Sequence, residues 1–240
     1  MTSRREFLAA SAATVAATRW PDRAPDPTPS ATTLLFQGDS ITDAGRNRSC
    51  SGANDIAALG TGYPLLLAAE LREQHPRSEL QIFNRGVSGN TVPDLQARWQ
   101  GDTIALAPSM LSILIGVNDI WHTRGKTFSG SAATYETAYS ALLASTRSAL
   151  PELRLVVLEP FVLRVGAVDN SWFPEFDDYR AASRRVAKRA GAIFVPLHDM
   201  LQDLARKSSP AYWAADGVHP TLAGHQAIAR QWLRRVKVDG

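Results

Sequence analysis

The chain reads as a single α/β domain, a three-layer α/β/α sandwich around a five-stranded parallel sheet. Three observations predict this class. From Thr33 onward, short apolar runs alternate with stretches of helical periodicity. The run Leu111-Ser112-Ile113-Leu114-Ile115 and the run Leu155-Val156-Val157-Leu158 are almost continuously apolar, as in strands covered on both faces. Strands joined through helices require right-handed crossovers, which put helices on both sides of the sheet. At 240 residues, the chain is long enough for one well-packed domain of this kind, and no internal boundary suggests two.

In order, the strands are expected at Leu34–Phe36, Leu80–Phe83, Met110–Ile115, Leu153–Leu158 and Ala192–Val195. Between them, Tyr63–His75 reads as a helix with Pro64 at its start, where a missing N–H costs little. Ser131–Leu150 places Tyr135, Tyr139, Leu142, Thr146 and Leu150 near one face, and Pro151 ends it. Pro174–Ala190 carries Phe176, Tyr179, Val186 and Ala190. A last helix over Thr221–Val236 is expected to turn Leu222, Ala229, Leu233 and Val236 inward, with Pro220 at its first position.

The first thirty residues form a separate region ahead of a domain over residues 31–240. Ser3-Arg4-Arg5-Glu6-Phe7-Leu8 resembles a twin-arginine export signal, followed by a short Ala-rich apolar stretch from Phe7 to Ala17. That stretch falls short of the roughly 20 apolar residues of a membrane span, so stable membrane insertion is not expected. Pro21–Ser30, with four prolines, reads as a linker. The expected location is therefore periplasmic or extracellular.

Composition narrows the partners. The 45% hydrophobic and 20% charged residues are those of an ordinary globular protein. The net charge of +3 includes +1 from residues 1–30, and no basic stripe suits a nucleic-acid backbone. The densest basic run, Arg180–Arg189, falls on an amphipathic helix and reads as its solvated face. The single cysteine, Cys50, rules out an intrachain disulfide framework and reads as a bystander thiol. His75, His122, His198 and His225 share no tight ligand spacing, so no metal or other cofactor is expected. His225 is expected to pack or hydrogen-bond on the last helix. Self-association is left open.

Four short blocks carry chemistry: Gly38-Asp39-Ser40-Ile41-Thr42, Asn84-Arg85-Gly86-Val87-Ser88-Gly89-Asn90, Gly116-Val117-Asn118-Asp119 and Asp216-Gly217-Val218-His219-Pro220. The first three follow strand runs, where ligands of open α/β sheets gather. Ser40 stands where the first strand turns, exposed enough for a nucleophile. His219 is the candidate general base, and Asp216, three residues earlier, is close enough to hold its other ring nitrogen. A tetrahedral oxyanion needs preorganised donors, and the expected ones are the Ser40 N–H, the Gly86 N–H and the Asn118 side-chain amide. Asp39 and Asp119 are read as structural, bracing the loops that carry Ser40 and Asn118. Each block alone has a bland reading as a cap or a turn; together they supply every part of a serine esterase.

With these residues in order, the chain resembles the SGNH, or GDSL, hydrolases over nearly all of Leu34–Leu233. Their named residues are matched by Ser40, Gly86, Asn118 and His219, with Asp216 as the third triad member. The resemblance implies a flavodoxin-like fold and a metal-free serine esterase mechanism. Within the family, Gly60-Thr61-Gly62-Tyr63, Arg85–Thr91 with Asp94–Trp99, and Gly116–Trp121 look like bacterial acetyl-xylooligosaccharide esterases. The implied substrate is an acetylated oligosaccharide or similar small ester. The alternative is a lysophospholipase- or thioesterase-like enzyme acting on longer acyl chains. Trp121 and Trp213 are candidate sugar-stacking residues; each can also be read as a packing aromatic, the reading favoured for Trp213.

Overall fold

The computed structural model describes residues 32–238; the export-signal reading of residues 1–30 lies outside them. Five strands form one sheet: β1 (Thr33–Gly38), β2 (Gln81–Asn84), β3 (Met110–Leu114), β4 (Arg154–Leu158) and β5 (Ile193–Val195). The order is β2-β1-β3-β4-β5 and every neighbouring pair is parallel. This is the flavodoxin-like order, with its switch point between β1 and β3. All five strands lie where the apolar runs place them. β3 is buried at every position because helices cover both of its faces.

Among the described residues, seven α-helices lie between the strands, α1 (Ser40–Asp43), α2 (Ile56–Leu59), α3 (Tyr63–Gln74), α4 (Val92–Trp99), α5 (Val117–Arg124), α6 (Ala132–Ala149) and α7 (Glu175–Arg189), and three follow β5, α8 (His198–Arg206), α9 (Pro210–Trp213) and α10 (Leu222–Arg235). On one face, Phe36 of β1 packs between Tyr63 of α3 and Trp232 of α10, with ring centroids 5.6 and 6.1 Å away. Trp232 also donates from Nε1 to the buried Ser112 hydroxyl of β3 at 3.0 Å, satisfying two polar groups inside the core. On the other face, Trp99 at the end of α4 donates to Thr146 of α6 at 2.8 Å. There Tyr135 of α6 meets Tyr179 of α7 with centroids 5.3 Å apart.

Three local expectations change. The last helix begins at Leu222, with the Thr221 side chain accepting from Gly224 N–H as its cap, so Pro220 stands outside it. Pro220 instead bridges Ala214 and ties the preceding loop closed. Leu222, its first residue, is 71% exposed rather than inward, while Ala229 and Val236 are buried as expected and Ile228 and Trp232 join them in the core. Finally, Arg180 is not a free solvated cation: it bonds Glu159 at the end of β4, Asp177 and Asp199. Glu159 is buried, so its charge requires that partner.

Candidate active site

The parallel register brings the ends of β1, β2 and β3 to one edge, and the first three blocks emerge from them. β1 ends at Gly38, whose Cβ position would lie 2.3 Å from the Leu114 carbonyl oxygen and 2.4 Å from the Thr42 hydroxyl. Only glycine allows the chain to turn so tightly into Ser40. Asp39 caps the short α1 through Ile41 N–H at 3.0 Å, which leaves Ser40 at the first helical position. The Ser40 N–H has no partner among the described residues and stands free at that helix start.

Ser40 Oγ lies 2.8 Å from His219 Nε2, and His219 Nδ1 lies 2.6 Å from Asp216 Oδ2. The acid–histidine loop is held rigidly. Asp216 Oδ1 also accepts the N–H groups of Val218 and His219. From behind, Leu163 N–H bonds the Gly217 carbonyl and Ala167 N–H bonds the Asp216 carbonyl. Partial burial raises the Asp216 pKa, but the His219 ring and the two backbone N–H groups outweigh it and hold it below the usual carboxylate range. The carboxylate is thus poised to orient the ring and to stabilise an imidazolium. The site is open: the His219 and Asp216 side chains are each exposed by about two-fifths.

The oxyanion donors need one correction. The Gly86 N–H donates to Asn84 Oδ1 at 2.9 Å, inside the protein, and is not available to a substrate. Gly86 is glycine for packing, since a Cβ there would lie 2.5 Å from the Asp43 nitrogen. Three residues on, Gly89 is exposed, has φ +85°, and its N–H has no partner among the described residues. Its neighbours are both anchored. Ser88 binds Asp43 Oδ2 through its N–H at 2.9 Å and its hydroxyl at 2.7 Å. The Asn90 carbonyl accepts from Asn118 Nδ2 at 3.1 Å. That bond uses one amide hydrogen of Asn118 and leaves the other. Spacing alone does not separate Gly86 from Gly89; the signal is which N–H the fold has already consumed.

Asp39 and Asp119 are both structural, as expected, though Asp119 braces a different element. Its Oδ1 accepts Val92 N–H and so fixes the start of α4. Burial pushes Asp39 up to about 7, against the Ile41 N–H and the His219 ring, and burial likewise pushes Asp119 up to about 7. Trp121 stands beside the triad, its ring 6.1 Å from that of His219 and 5.8 Å from Trp172. Trp213 is not among the residues that line the cavity beside Ser40 and His219. Its indole N–H donates to Ser208 at 2.8 Å and its ring packs edge-on against Tyr212, so the packing reading holds for it. Beside Ser40 and His219 lies a cavity of about 390 Å³ whose wall includes Thr61, Leu222 and His225. His225, on α10, packs and hydrogen-bonds as expected, its ring stacked on Tyr63 of α3 and accepting that residue's N–H. Among the described residues no group of three histidines, cysteines or carboxylates is placed to hold a metal ion. No helix among them is long and apolar enough to cross a membrane.

A serine, a histidine and a carboxylate in a continuous hydrogen-bonded line, at the carboxyl edge of a flavodoxin-like sheet, form the arrangement of a serine acyl hydrolase. The chain belongs to the GDSL-like lipase/acylhydrolase family, whose model matches residues 36–227. It is 36% identical over 208 residues to an acetylxylan esterase of Geobacillus stearothermophilus, covering 85% of this chain and 93% of that one. Among solved structures, a GDSL-like protein from Parabacteroides merdae superimposes with a TM-score of 0.83 at 42% identity, covering 85% of this chain and 94% of that one. A variant of Axe2, an acetyl-xylooligosaccharide esterase from Geobacillus, superimposes with a TM-score of 0.78 at 33% identity, covering 87% and 95%. The chain is a carboxylic ester hydrolase with the SGNH fold.

Proposed function

We propose that this protein is an acetylesterase that removes acetyl groups from acetylated carbohydrates of the xylo-oligosaccharide type. The observation that carries the chemistry is the unbroken line from Ser40 Oγ through the His219 ring to Asp216. The substrate class is supported by the acetylxylan esterase relative and by an open site that admits a polymeric alcohol.

In the first half-reaction Ser40 Oγ attacks the acetyl carbonyl carbon as its proton passes to His219 Nε2. Asp216 stabilises the imidazolium. The oxyanion is met by the Ser40 N–H, the Gly89 N–H and the Asn118 amide, each free to donate as the charge develops. On collapse the carbon–oxygen bond to the sugar breaks, and His219 returns its proton to the leaving oxygen. Water then attacks the acetyl-serine with His219 as base, releasing acetate and restoring the Ser40 hydroxyl. Two solved structures of Axe2 are described as catalytic mutants, one with a serine and one with a histidine replaced by alanine, which supports these two roles.

The test is acetate release from acetylated xylo-oligosaccharides beside hydrolysis of a long-chain acyl ester, with wild type and Ser40→Ala. Serine-dependent acetate release, with the variant folded and reduced by more than about 10³-fold, supports the proposal. Serine-dependent cleavage of only the long ester moves the function to longer acyl chains. We also propose export through the Arg4-Arg5 segment; loss of the protein from the exported fraction on Arg4→Lys with Arg5→Lys is the expected result.

A further inference from the structure

The cavity beside the triad is built asymmetrically. Ser40 and His219 line it, but Asn118, Gly89 and Trp121 do not. The oxyanion therefore forms on the far side of Ser40, and this cavity lies on the side of the histidine that protonates the leaving oxygen. Its volume, about 390 Å³, falls in the range of about 300–1,000 Å³ usual for small-ligand pockets.

One polar group aimed at this cavity has no role in the triad. The His225 ring is only 7% exposed. Its Nδ1 accepts the buried Tyr63 N–H at 3.2 Å, so in the neutral ring the proton sits on Nε2. The ring is clamped, stacked on Tyr63 at 6.4 Å and 23°, with the Gly62 backbone so close that a Cβ there would come within 3.0 Å of Cε1. Nε2 has no hydrogen-bond partner among the described residues, yet it is not among their enclosed, unpartnered polar atoms. It therefore opens onto the cavity that the ring lines. Across the same wall the exposed Thr61 hydroxyl spends its proton on the Ala44 carbonyl at 2.9 Å and presents only acceptor lone pairs outward. Exposed Leu222 adds an apolar surface beside them.

We propose that this cavity is the subsite for the alcohol half of the substrate. In it the His225 Nε2–H donates to one oxygen of the leaving sugar residue, Thr61 accepts from a hydroxyl, and Leu222 packs on the ring's C–H face. A donor and an acceptor flanking an apolar surface suit a polyhydroxylated ring, whereas an acyl tail would leave both polar groups without a partner. Burial, with the nearby His219, lowers the His225 pKa to about 4, so the ring is neutral and donates from Nε2 alone at neutral pH. This subsite rests on the carbohydrate-ester reading above.

The test compares kcat/KM on acetylated xylo-oligosaccharides and on para-nitrophenyl acetate, which lacks the sugar, for wild type, His225→Asn, His225→Gln and Thr61→Val. Asn keeps an acceptor near Nδ1 for Tyr63 but has no donor at the Nε2 position, whereas Gln extends an N–H toward it. In His225→Asn and Thr61→Val, the sugar ester is expected to lose about 10-fold more than the aryl ester, mainly through KM. His225→Gln is expected to recover most of that difference. Equal losses on both substrates, or a wild-type ratio in the Asn and Val variants, would overturn the subsite while leaving the esterase reading intact. No hydrolysis of the sugar ester by the wild type would remove the carbohydrate reading and this subsite together.

Discussion

Around Ser40, availability of hydrogens decides which groups can act. Asn118 gives one amide hydrogen to the Asn90 carbonyl and keeps the other, so a single side chain both fixes the second block and faces the reaction. Asn118→Ala is expected to lower kcat by about 10²–10³-fold with little change in KM, because the lost bond forms only as the oxyanion develops. Steady-state kinetics on an acetyl ester checks this, and an unchanged kcat would exclude Asn118 as a donor. Gly86 and Gly89 differ in the same currency. The first has spent its N–H on Asn84, and the second has not.

The elements are tied to one another at the site by a few charged side chains. Arg98 on α4 reaches the carbonyls of Gly38 and Arg85, the Asn90 side chain and Asp102, at 3.3, 2.8, 2.7 and 2.8 Å. One guanidinium thus joins the end of β1 to both ends of the block that carries Gly89. A lysine cannot reproduce that fork, since its ammonium is a single point charge. Arg98→Lys is expected to lower kcat by about ten-fold or more while the fold is kept, because small displacements of positioned groups are costly to turnover. Wild-type kcat with a lowered melting temperature would instead make Arg98 a purely structural tie. Asp43 is the companion anchor, buried and holding Ser88, Arg46 and Arg48.

For the whole molecule, two carboxyl groups buried behind the site link folding to pH. Asp39 and Asp119 titrate at about 7 in the fold against 3.8 for an ordinary aspartate. Between those values the folded state holds more protons than the unfolded one, so these two groups lower stability as pH rises from about 4 to about 7. Asp216 and Asp43, both held low, act in the opposite sense at more acid pH. Asp39→Asn keeps the cap on Ile41 N–H and removes one such titration. Its melting temperature relative to wild type is expected to rise between about pH 4 and about pH 7. A difference independent of pH would show that Asp39 titrates like an exposed carboxylate.

What the sequence by itself determined is whatever depends on periodicity and local order. The five apolar runs fixed the strands, because a residue covered on both sides of a parallel sheet must be apolar at almost every position. The spacing of Asp216 and His219 fixed that pair, because three residues of turn suffice to bring them together. Short helices such as α4 and α5, of eight residues each, escaped the periodicity, and Leu222 at the start of the last helix is exposed although Ala229 and Val236 on the same face are buried. Tertiary structure decided everything that depends on a distant partner. Gly89 rather than Gly86 keeps a free N–H because Asn84 folds back on the second block. The Trp213 indole is held by Ser208 and packs on Tyr212. His225 becomes a one-sided donor because Tyr63, 162 residues away in the chain, occupies its other nitrogen. A hydrogen-bonding group is defined by what remains after its neighbours are satisfied, and those neighbours meet only when the sheet closes.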